Sequence, residues 1–450
     1  MSTPAQSDVK TDDSASAQSI HTPSEAASLP VLPAAPPPPR RGGLRSATRA
    51  LKHVNYQLYF GGQLVSLIGT WMQSVAQSWL VYRLTGSELM LGVVGFCAQV
   101  PVFFLAAIGG TVADRLPRRA IIITTQTVAM CQATTLAVLT LTGHVQVWHV
   151  MILACTLGVV NAFDVPTRQS FVVEMVGKED LPNAIALNST MFNGARMAGP
   201  AIAGVLLAAV GEGWCFALNG VSYLAVLTSL FFIRPVRHAV APKRASVLHN
   251  LKEAAQYIRG KEPVRLLLMM LAVSALMGMP YQVLMPIFAQ DVLHAGPRGL
   301  GYLMSAAGVG ALCAAVMLAT RHHVDGLERW VGRASFGFGA ALVAFSFSPV
   351  LWLSLLLVLC VGFCMMTQMA SSNTLIQTMV PDQLRGRVMA AYTMMLMGMT
   401  PFGALIAGAL GHRIGAPHAL AVGGCVCMVV SLFYRRKRTA AFLGALPKPA

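Results

Sequence analysis

The chemistry available to this chain centres on an ionisable residue inside an apolar segment. Arg196 lies about 13 residues into an apolar stretch that begins near residue 183, which places it about 20 Å along a helix and close to the middle of a bilayer. A charge in hydrocarbon is costly, so an ionisable residue at this depth indicates a functional site or a paired structural charge. Asp164 and Arg168 lie on the preceding apolar stretch, before a short predicted charged loop.

Three interpretations of Arg196 follow from this position. It binds an anionic group of a substrate, it forms an ion pair with Asp164, or it packs near a helix break at Pro200. The first two are compatible, because a substrate carboxylate or catecholate can compete with Asp164 for the guanidinium. Asn193 shares a helix face with Arg196, and Asn161 shares one with Asp164, so both asparagines are further candidates for substrate contact.

Polar side chains also follow the first apolar span at helical spacing. A full-length polar stripe on a membrane helix faces a cavity or a partner helix rather than lipid, so substrate contact and interhelical hydrogen bonding are both open. Tyr281 and Gln282 lie beside Pro280 in span seven, where a broken helix is expected to line a cavity. Gln368 lies in an unusually polar span ten. The polar stripe on the first span consists of Gln63, Ser66, Thr70, Gln73 and Gln77.

The composition identifies the surroundings of these residues as a membrane. Hydrophobic residues make up 55% of the 450 residues and charged residues only 11%, whereas soluble proteins carry about a quarter charged residues. Apolar windows of roughly 20 residues, the length that crosses a bilayer, recur along the chain. We therefore predict an all-α membrane protein with twelve spans.

The basic residues, which give a net charge of +16, fall in alternate loops. This distribution follows the positive-inside rule and predicts a multi-pass protein with both termini in the cytosol; the family resemblance described below implies the bacterial inner membrane. The distribution explains the charge without a nucleic-acid partner.

The two halves of the chain resemble each other. A-I-A-G at 201–204 matches L-I-A-G at 405–408, and parallel six-helix repeats predict a transporter whose substrate site lies between them. The predicted organisation is a disordered cytosolic tail (1–54), a six-helix bundle (55–234), a cytosolic linker with an amphipathic helix (235–265), a second six-helix bundle (266–434) and a basic cytosolic tail (435–450).

The loop between spans two and three reads G-G-T-V-A-D-R-L-P-R-R, from Gly109 to Arg119, and resembles the cytosolic loop signature of the major facilitator superfamily, although Pro117 replaces its Gly. The segment 161–204, with its D-x-P-x-R-Q, L-N-S and R-x-x-G-P runs, resembles the branch of enterobactin exporters and drug-efflux proteins. The resemblance implies twelve transmembrane helices in two pseudo-symmetric six-helix bundles. The residues that match the loop signature are Gly110, Asp114, Arg115, Arg118 and Arg119.

The resemblance also implies a gate. Asp114 would face the start of span eleven near Gly386 and Arg387, where free N–H groups favour an anion, and Arg118 would pair with Asp164. With Arg168, these charges would latch the cytosolic side closed and separate as it opens. The alternative is that they only set topology.

Gly199 and Pro200, followed by Gly204, resemble the span-five signature of antiporters. Ala186 and Ala195 stand at upstream positions where that signature has Gly, and a simple packing kink is the alternative interpretation. No acid lies near Thr70, where many relatives in the branch have one, and the histidines all fall in loops or tails. Asp164 is therefore the proton-coupling candidate by elimination.

These observations predict a secondary active exporter of a small amphipathic molecule, a siderophore or a drug-like compound, that works by alternating access and proton antiport. An importer or facilitator of a small organic anion and a non-transporting membrane sensor are the alternatives. No enzyme activity is expected, because no acid–base or nucleophile pair lies in the spans, and no C-x-x-C pair indicates a metal. We expect no cofactor, a small-molecule substrate, the lipid bilayer as surroundings and a monomer; a periplasmic or outer-membrane efflux partner is left open.

Overall fold

The computed structural model describes residues 48–233, 247–320 and 326–442, and this part of the chain is almost entirely helical. Most of the predicted N-terminal tail, the first part of the predicted linker and the end of the predicted C-terminal tail lie outside the described residues.

Twelve long helices in the described residues form two groups of six. Those of the first half are α1 (Val54–Thr85), α2 (Glu88–Arg115), α3 (Arg118–Leu141), α4 (Val147–Gly177), α5 (Glu179–Val210) and α6 (Glu212–Phe232). Those of the second half are α7 (Glu262–Val292), α8 (Gly296–Ala319), α9 (Leu327–Ser346), α10 (Leu351–Met379), α11 (Asp382–Ile414) and α12 (Ala416–Phe442).

The predicted fold of twelve helices is confirmed. By length and composition, 10 of these helices are apolar enough to cross a membrane. The other two are α1, which carries the polar stripe, and α9, whose first turns contain Glu328, Arg329 and Arg333. Both pack against other helices of their group, where polar atoms find partners that lipid does not offer.

Helices α4 and α5 are nearly continuous. A single residue interrupts the helical backbone between Val147 and Val210, namely Gly177 with φ 72°. Glycine adopts this left-handed conformation without steric cost, so one residue suffices to redirect the chain. The predicted charged loop between these spans is therefore wrong, because the charged residues there extend the two helices.

Helix α7 is interrupted as its prolines predict. Two π-helical turns, Ser274–Gly278 and Phe288–Val292, lie on either side of the segment Tyr281–Ile287. Such turns occur mostly as local bulges, frequently at functional sites. The break orients Tyr281 and its neighbours toward the first group of helices, as described below.

The linker helix (Val247–Gly260) packs on the second bundle rather than standing alone. Glu253 forms an ion pair with Arg387 at the start of α11, and the Tyr257 hydroxyl donates to the Met379 carbonyl over 3.5 Å. The linker helix is thereby fixed to the end of the molecule at which α3 begins with Arg118 and α11 begins near Arg387. We call this the basic end, and the other the far end.

A short 3₁₀ helix, Arg49–Lys52, precedes α1 at the basic end. Asp180 at the start of α5 forms an ion pair with Arg49, whose Nε lies 2.7 Å from Oδ1, and its Oδ2 lies 2.8 Å from His53 Nε2. The backbone N–H of Ala50 donates to Asn183 Oδ1 over 2.7 Å. The entrance to α1 is therefore anchored to the start of α5.

The two bundles meet through two helix pairs, α2 with α11 and α5 with α8. Their backbones approach closely near the far end, where Cβ atoms would be about 3 Å from a facing Cα at Gly204 against Gly301 and at Gly408 against Gly92. Small residues permit such contact between helices.

Candidate substrate site between the bundles

A small cavity lies between the bundles, where α1, α5, α7 and α8 meet. It has room for about one water molecule in this conformation. The sequence singled out four of its residues, Arg196, Pro200, Tyr281 and Gln282, and the structure brings these four together. The cavity is lined by Trp71, Arg196, Pro200, Tyr281, Gln282, Met304 and Ala307.

Arg196 carries the only charge in this lining. Its Cζ lies 5.7 Å from the centre of the Trp71 ring, within the range of a cation–π interaction. Within the described part of the chain, no carboxylate pairs with Arg196. The predicted pair with Asp164 is not formed, because Asp164 is held by other groups. The guanidinium therefore retains donors for a bound anion.

Glycine residues bring the neighbouring helices close enough to form this lining. A Cβ on Gly199 would lie 2.5 Å from the Trp71 Cβ, and one on Gly308 would lie 3.1 Å from the Arg196 carbonyl oxygen. Phe192 packs edge-on against the Trp71 ring at 5.7 Å. The indole is thus fixed beside the guanidinium by contacts from α5 on two sides.

The second bundle contributes polar groups from the break in α7. Tyr281 is buried, and Gln282 Nε2 lies 3.4 Å from the Tyr281 hydroxyl, to which it donates. Met304 adds a flexible apolar surface from α8. A cation, a phenol and an amide beside aromatic and thioether surfaces suit a small amphipathic anion.

Asp164 belongs to a separate polar cluster inside the first bundle. It is 1% exposed, and its Oδ1 accepts from Thr125 Oγ1 over 2.8 Å and from Gln126 Nε2 over 3.0 Å. Its Oδ2 pairs with Arg168, one turn along α4. Both oxygens of this carboxylate therefore have partners from within its own bundle.

The predicted pair of Arg118 with Asp164 is wrong. Arg118 pairs with Glu174 and donates from Nε to the Ala113 carbonyl over 3.3 Å. The reason is depth: Arg118 begins α3 at the basic end, level with Glu174, whereas Asp164 lies about 15 Å deeper along α4. Sequence reasoning missed Glu174 because several acids in that region offered equivalent partners.

The glycine that packs most tightly in the loop signature is not the one that the resemblance singled out. A Cβ on Gly110 would meet nothing within 4 Å, whereas one on Gly109 would overlap the carbonyl of Ala162 in α4. Arg115 is exposed, and Arg119 Nη2 donates to the Phe231 carbonyl over 3.2 Å.

Asp114 ends the face of α2 that packs against α11. Gly92 faces Gly408, and Phe103 faces Gly398 further along. Helices α2 and α11 are therefore antiparallel, and the same register extended to the basic end places Asp114 at the level of the start of α11. Arg387, at that start, forms its ion pair with Glu253 of the linker helix.

The middle of the polar stripe on α1 faces its own bundle. Gln73 is buried, donates to Gln132 Oε1 over 3.0 Å and accepts from Asn219 Nδ2 over 2.7 Å. Thr70 Oγ1 donates to the Ser66 carbonyl over 2.9 Å, and Gln63 is buried. Of the two interpretations of the stripe, the geometry of Gln73 fits interhelical hydrogen bonding.

The other predicted contact residues also lie outside the cavity lining. Asn193 Nδ2 donates to the Ser189 carbonyl over 2.9 Å, and Gln368 Nε2 donates to Ser274 Oγ over 2.9 Å. Gln77 and Asn161 are half-buried. Trp71, which the sequence did not single out, follows Thr70 directly, and the rotation of α1 decides which of the two reaches the cavity.

Two six-helix bundles that enclose a cavity with one charged residue near mid-span define a membrane transporter of the major facilitator type. The chain belongs to the family described as transmembrane secretion effectors, which it matches over residues 46–442.

Relatives of similar length align with nearly the whole chain. A staphyloferrin A transporter of Staphylococcus aureus is 25% identical over 386 residues, which are 84% of this chain and 96% of the relative. The multidrug efflux pump Tap of Mycolicibacterium fortuitum is 26% identical over 383 residues, covering 82% and 93% respectively.

Solved structures share the fold at low identity. A bacterial homologue of the human lysosomal transporter Spinster, inward-facing and unoccupied, aligns with a TM-score of 0.69 and 13% identity over 91% of this chain and 100% of that one. A bacterial homologue of the iron transporter ferroportin, also inward-facing, aligns with a TM-score of 0.63 and 16% identity, covering 85% and 98%.

Proposed function

We propose that the protein exports a small amphipathic anion, siderophore-like or drug-like, across the bacterial inner membrane by alternating access coupled to proton antiport. The observation that carries this proposal is Arg196, a guanidinium without a carboxylate partner in the described residues, which lines the cavity between the bundles. Arg196 is half-buried at mid-span; a cation at this depth that lacks a protein anion is costly, and a substrate anion would offset that cost when it binds.

Alternating access is supported by the uneven closure of the bundle interface. The face of α11 that packs against α2 through Gly408 continues toward the basic end as Met397 and Met394, which are 53% and 45% exposed. The face of α5 that packs through Gly204 continues as Ala186, which is also exposed. With the basic end in the cytosol, this arrangement corresponds to an inward-open state.

Outward transport is supported by the names of the family and of one relative, which is a multidrug efflux pump. The cargo class is supported by the other relative, a siderophore transporter, together with the mixed aromatic and cationic lining. Proton coupling is assigned to Asp164, whose carboxylate is buried beside exchangeable donors of Thr125, Gln126 and Arg168.

The test is transport by the chain and by Arg196→Ala in everted membrane vesicles, with an anionic substrate and a neutral analogue of equal size. Loss of one charge-assisted contact costs about 1.5–3 kcal/mol, so we expect kcat/KM for the anion to fall about ten- to a hundredfold. The neutral analogue should be nearly unaffected, and Arg196→Lys should recover part of the loss.

The matched control is Arg413→Ala, which removes an exposed arginine of α11 at the far end. It should transport both substrates like the parent. Equal flux of the anion by Arg196→Ala would refute its binding role. The substrate itself is found by comparing metabolites retained in deletion and parent strains with and without iron, and a metabolite left undepleted outside the deletion strain would indicate an importer.

A further inference from the structure

A second cavity lies at the basic end of the second bundle, between the start of α9 and the end of α12. It is separate from the cavity between the bundles and is several times larger. We call it the arginine groove. It is lined by Arg329, Arg333, Leu432, Arg435, Arg436 and Arg438.

The walls of the groove are fixed by contacts between α9 and α12. Ser431 Oγ donates to the Gly332 carbonyl over 2.7 Å, and the Tyr434 hydroxyl donates to the Glu328 carbonyl over 3.1 Å. The Arg435 stem packs over Gly332, where a Cβ would lie 3.1 Å from its Cγ. The arginines therefore project from two helices that are locked together rather than from a loose tail.

The charge of the groove is strongly positive. One neighbouring carboxylate, Glu328, lies 3.6 Å from Arg329 and is largely buried, so it offsets one of the five guanidinium charges of the lining. Like charges in one groove repel one another, and a groove lined by one sign of charge concentrates the opposite ion. Guanidinium groups suit phosphate oxygens, which they bind in a bidentate manner.

An apolar stripe continues from the groove along α12. Val429, Leu432, Phe433 and Arg436 share one helix face, and the three apolar residues are exposed by 64%, 45% and 42%. The stripe runs from the guanidinium groups toward the middle of the helix, as acyl chains run from a phosphate into a bilayer. A soluble phosphate compound has no acyl chain that could cover this stripe.

We propose that the arginine groove binds the headgroup of an anionic phospholipid, with its acyl chains along the exposed stripe of α12. Basic pockets between transmembrane helices at the cytoplasmic side bind such headgroups, and the groove adds a lipid site to a face that takes no part in substrate binding. The proposal does not depend on which substrate is transported or in which direction.

The experiment measures lipid binding to the purified full chain in a neutral detergent by native mass spectrometry. The probes are cardiolipin, phosphatidylglycerol and phosphatidylcholine, with inorganic phosphate and glycerol phosphate as soluble arms. The test variant is Arg333→Gln with Arg435→Gln and Arg436→Gln. Each interfacial basic residue contributes about fivefold to binding of anionic lipid, so the triple variant should bind about a hundredfold more weakly.

The matched control removes three exposed positive charges at the same end but outside the groove, Lys52→Gln with Lys252→Gln and Lys261→Gln. It should keep binding within about twofold of the parent. If the triple arginine variant does not fold, Arg436→Gln alone should bind about fivefold more weakly.

Three results would overturn the proposal. The first is an equal loss of lipid binding in the test and control variants, which would show that the loss depends only on net charge. The second is unchanged lipid binding in the arginine variants. The third is displacement of the lipid by equimolar glycerol phosphate or inorganic phosphate, which would assign the groove to a soluble anion.

Discussion

Arg196 and Arg168 are both arginines within the helices of the first bundle, yet their surroundings differ. Arg168 pairs with Asp164, and that carboxylate also accepts from Thr125 and Gln126. Arg196 faces the cavity with an aromatic ring as its neighbour. The charge of Arg168 is therefore balanced inside the protein, whereas we propose that a bound anion balances the charge of Arg196.

Replacing Asp164 by Asn should destabilise the first bundle. Arg168 would remain buried without its counter-charge, which costs about 3–5 kcal/mol. We expect a clear fall in the melting temperature of the purified protein, and most of it should return in the double variant Asp164→Asn with Arg168→Gln. Thr125→Val, which removes one neutral donor, should cost only about 1 kcal/mol.

The same double variant separates structure from coupling. If Asp164 carries the proton, a folded Asp164→Asn/Arg168→Gln protein should still bind substrate, but its flux should no longer respond to an imposed pH gradient. A pH-driven flux that survives in this variant would remove Asp164 from the coupling mechanism.

At the scale of helices, contacts without side chains hold the bundles together. Gly204 of α5 meets Gly301 of α8, and Gly92 of α2 meets Gly408 of α11. These contacts lie near the far end, so that end can close only where the backbones touch. Two of the helices that bear these glycines, α5 and α8, also supply Arg196 and Met304 to the cavity, so we expect closure of the far end to move the proposed substrate contacts.

Gly301→Ala should hinder closure of the far end. Its Cβ would lie 2.7 Å from both the Gly204 Cα and the Pro200 carbonyl oxygen, and overpacking of this kind costs about 1–3 kcal/mol. We expect about a tenfold shift away from the closed far end, measured by spin-label distances between α5 and α8 and by slower transport. Gly61→Ala, with nothing within 4 Å, is the control, and an equal shift there would contradict the explanation.

The ion pair between Glu253 and Arg387 should hold the linker helix on α11. Glu253→Gln weakens a half-buried pair, so hydrogen exchange across residues 247–260 should rise about fivefold, as expected for about 1 kcal/mol. Asp382→Asn, which removes the highly exposed partner of Arg385 on the same helix, should leave exchange unchanged. Equal increases in hydrogen exchange in the two variants would show that net charge, and not this ion pair, holds the linker helix.

At the scale of the whole molecule, twelve helices place both ends of the described chain at the basic end. We expect a fluorescent protein fused after Phe442 to fluoresce in the cytosol, because an even number of spans returns the chain to its starting side. Alkaline phosphatase inserted at Gly143, in the turn between α3 and α4, should be active in the periplasm. A non-fluorescent fusion after Phe442 together with an active phosphatase at Gly143 would exclude this topology.

The fold could be predicted from the sequence because 10 of the twelve helices are long and apolar enough to be recognised as membrane spans. Much of the cavity could also be predicted, since Arg196 is conspicuous by its charge and Tyr281 by its place beside a proline. Trp71 and Gln73 were harder, because neighbouring residues on α1 point to different helices and only the rotation of α1 separates them. Arg118 was mispaired for a related reason: charge indicates that a partner exists, but depth decides which one.

The glycine pairs between the bundles have a consequence for how such a protein can change over generations. Most packing faults in an interface can be repaired, because a neighbouring side chain can become smaller. Where Gly204 meets Gly301 and Gly92 meets Gly408, neither residue has a side chain that could become smaller. We therefore expect lineages that keep this closure to keep all four glycines, while the cavity lining a few residues away diversifies with the cargo.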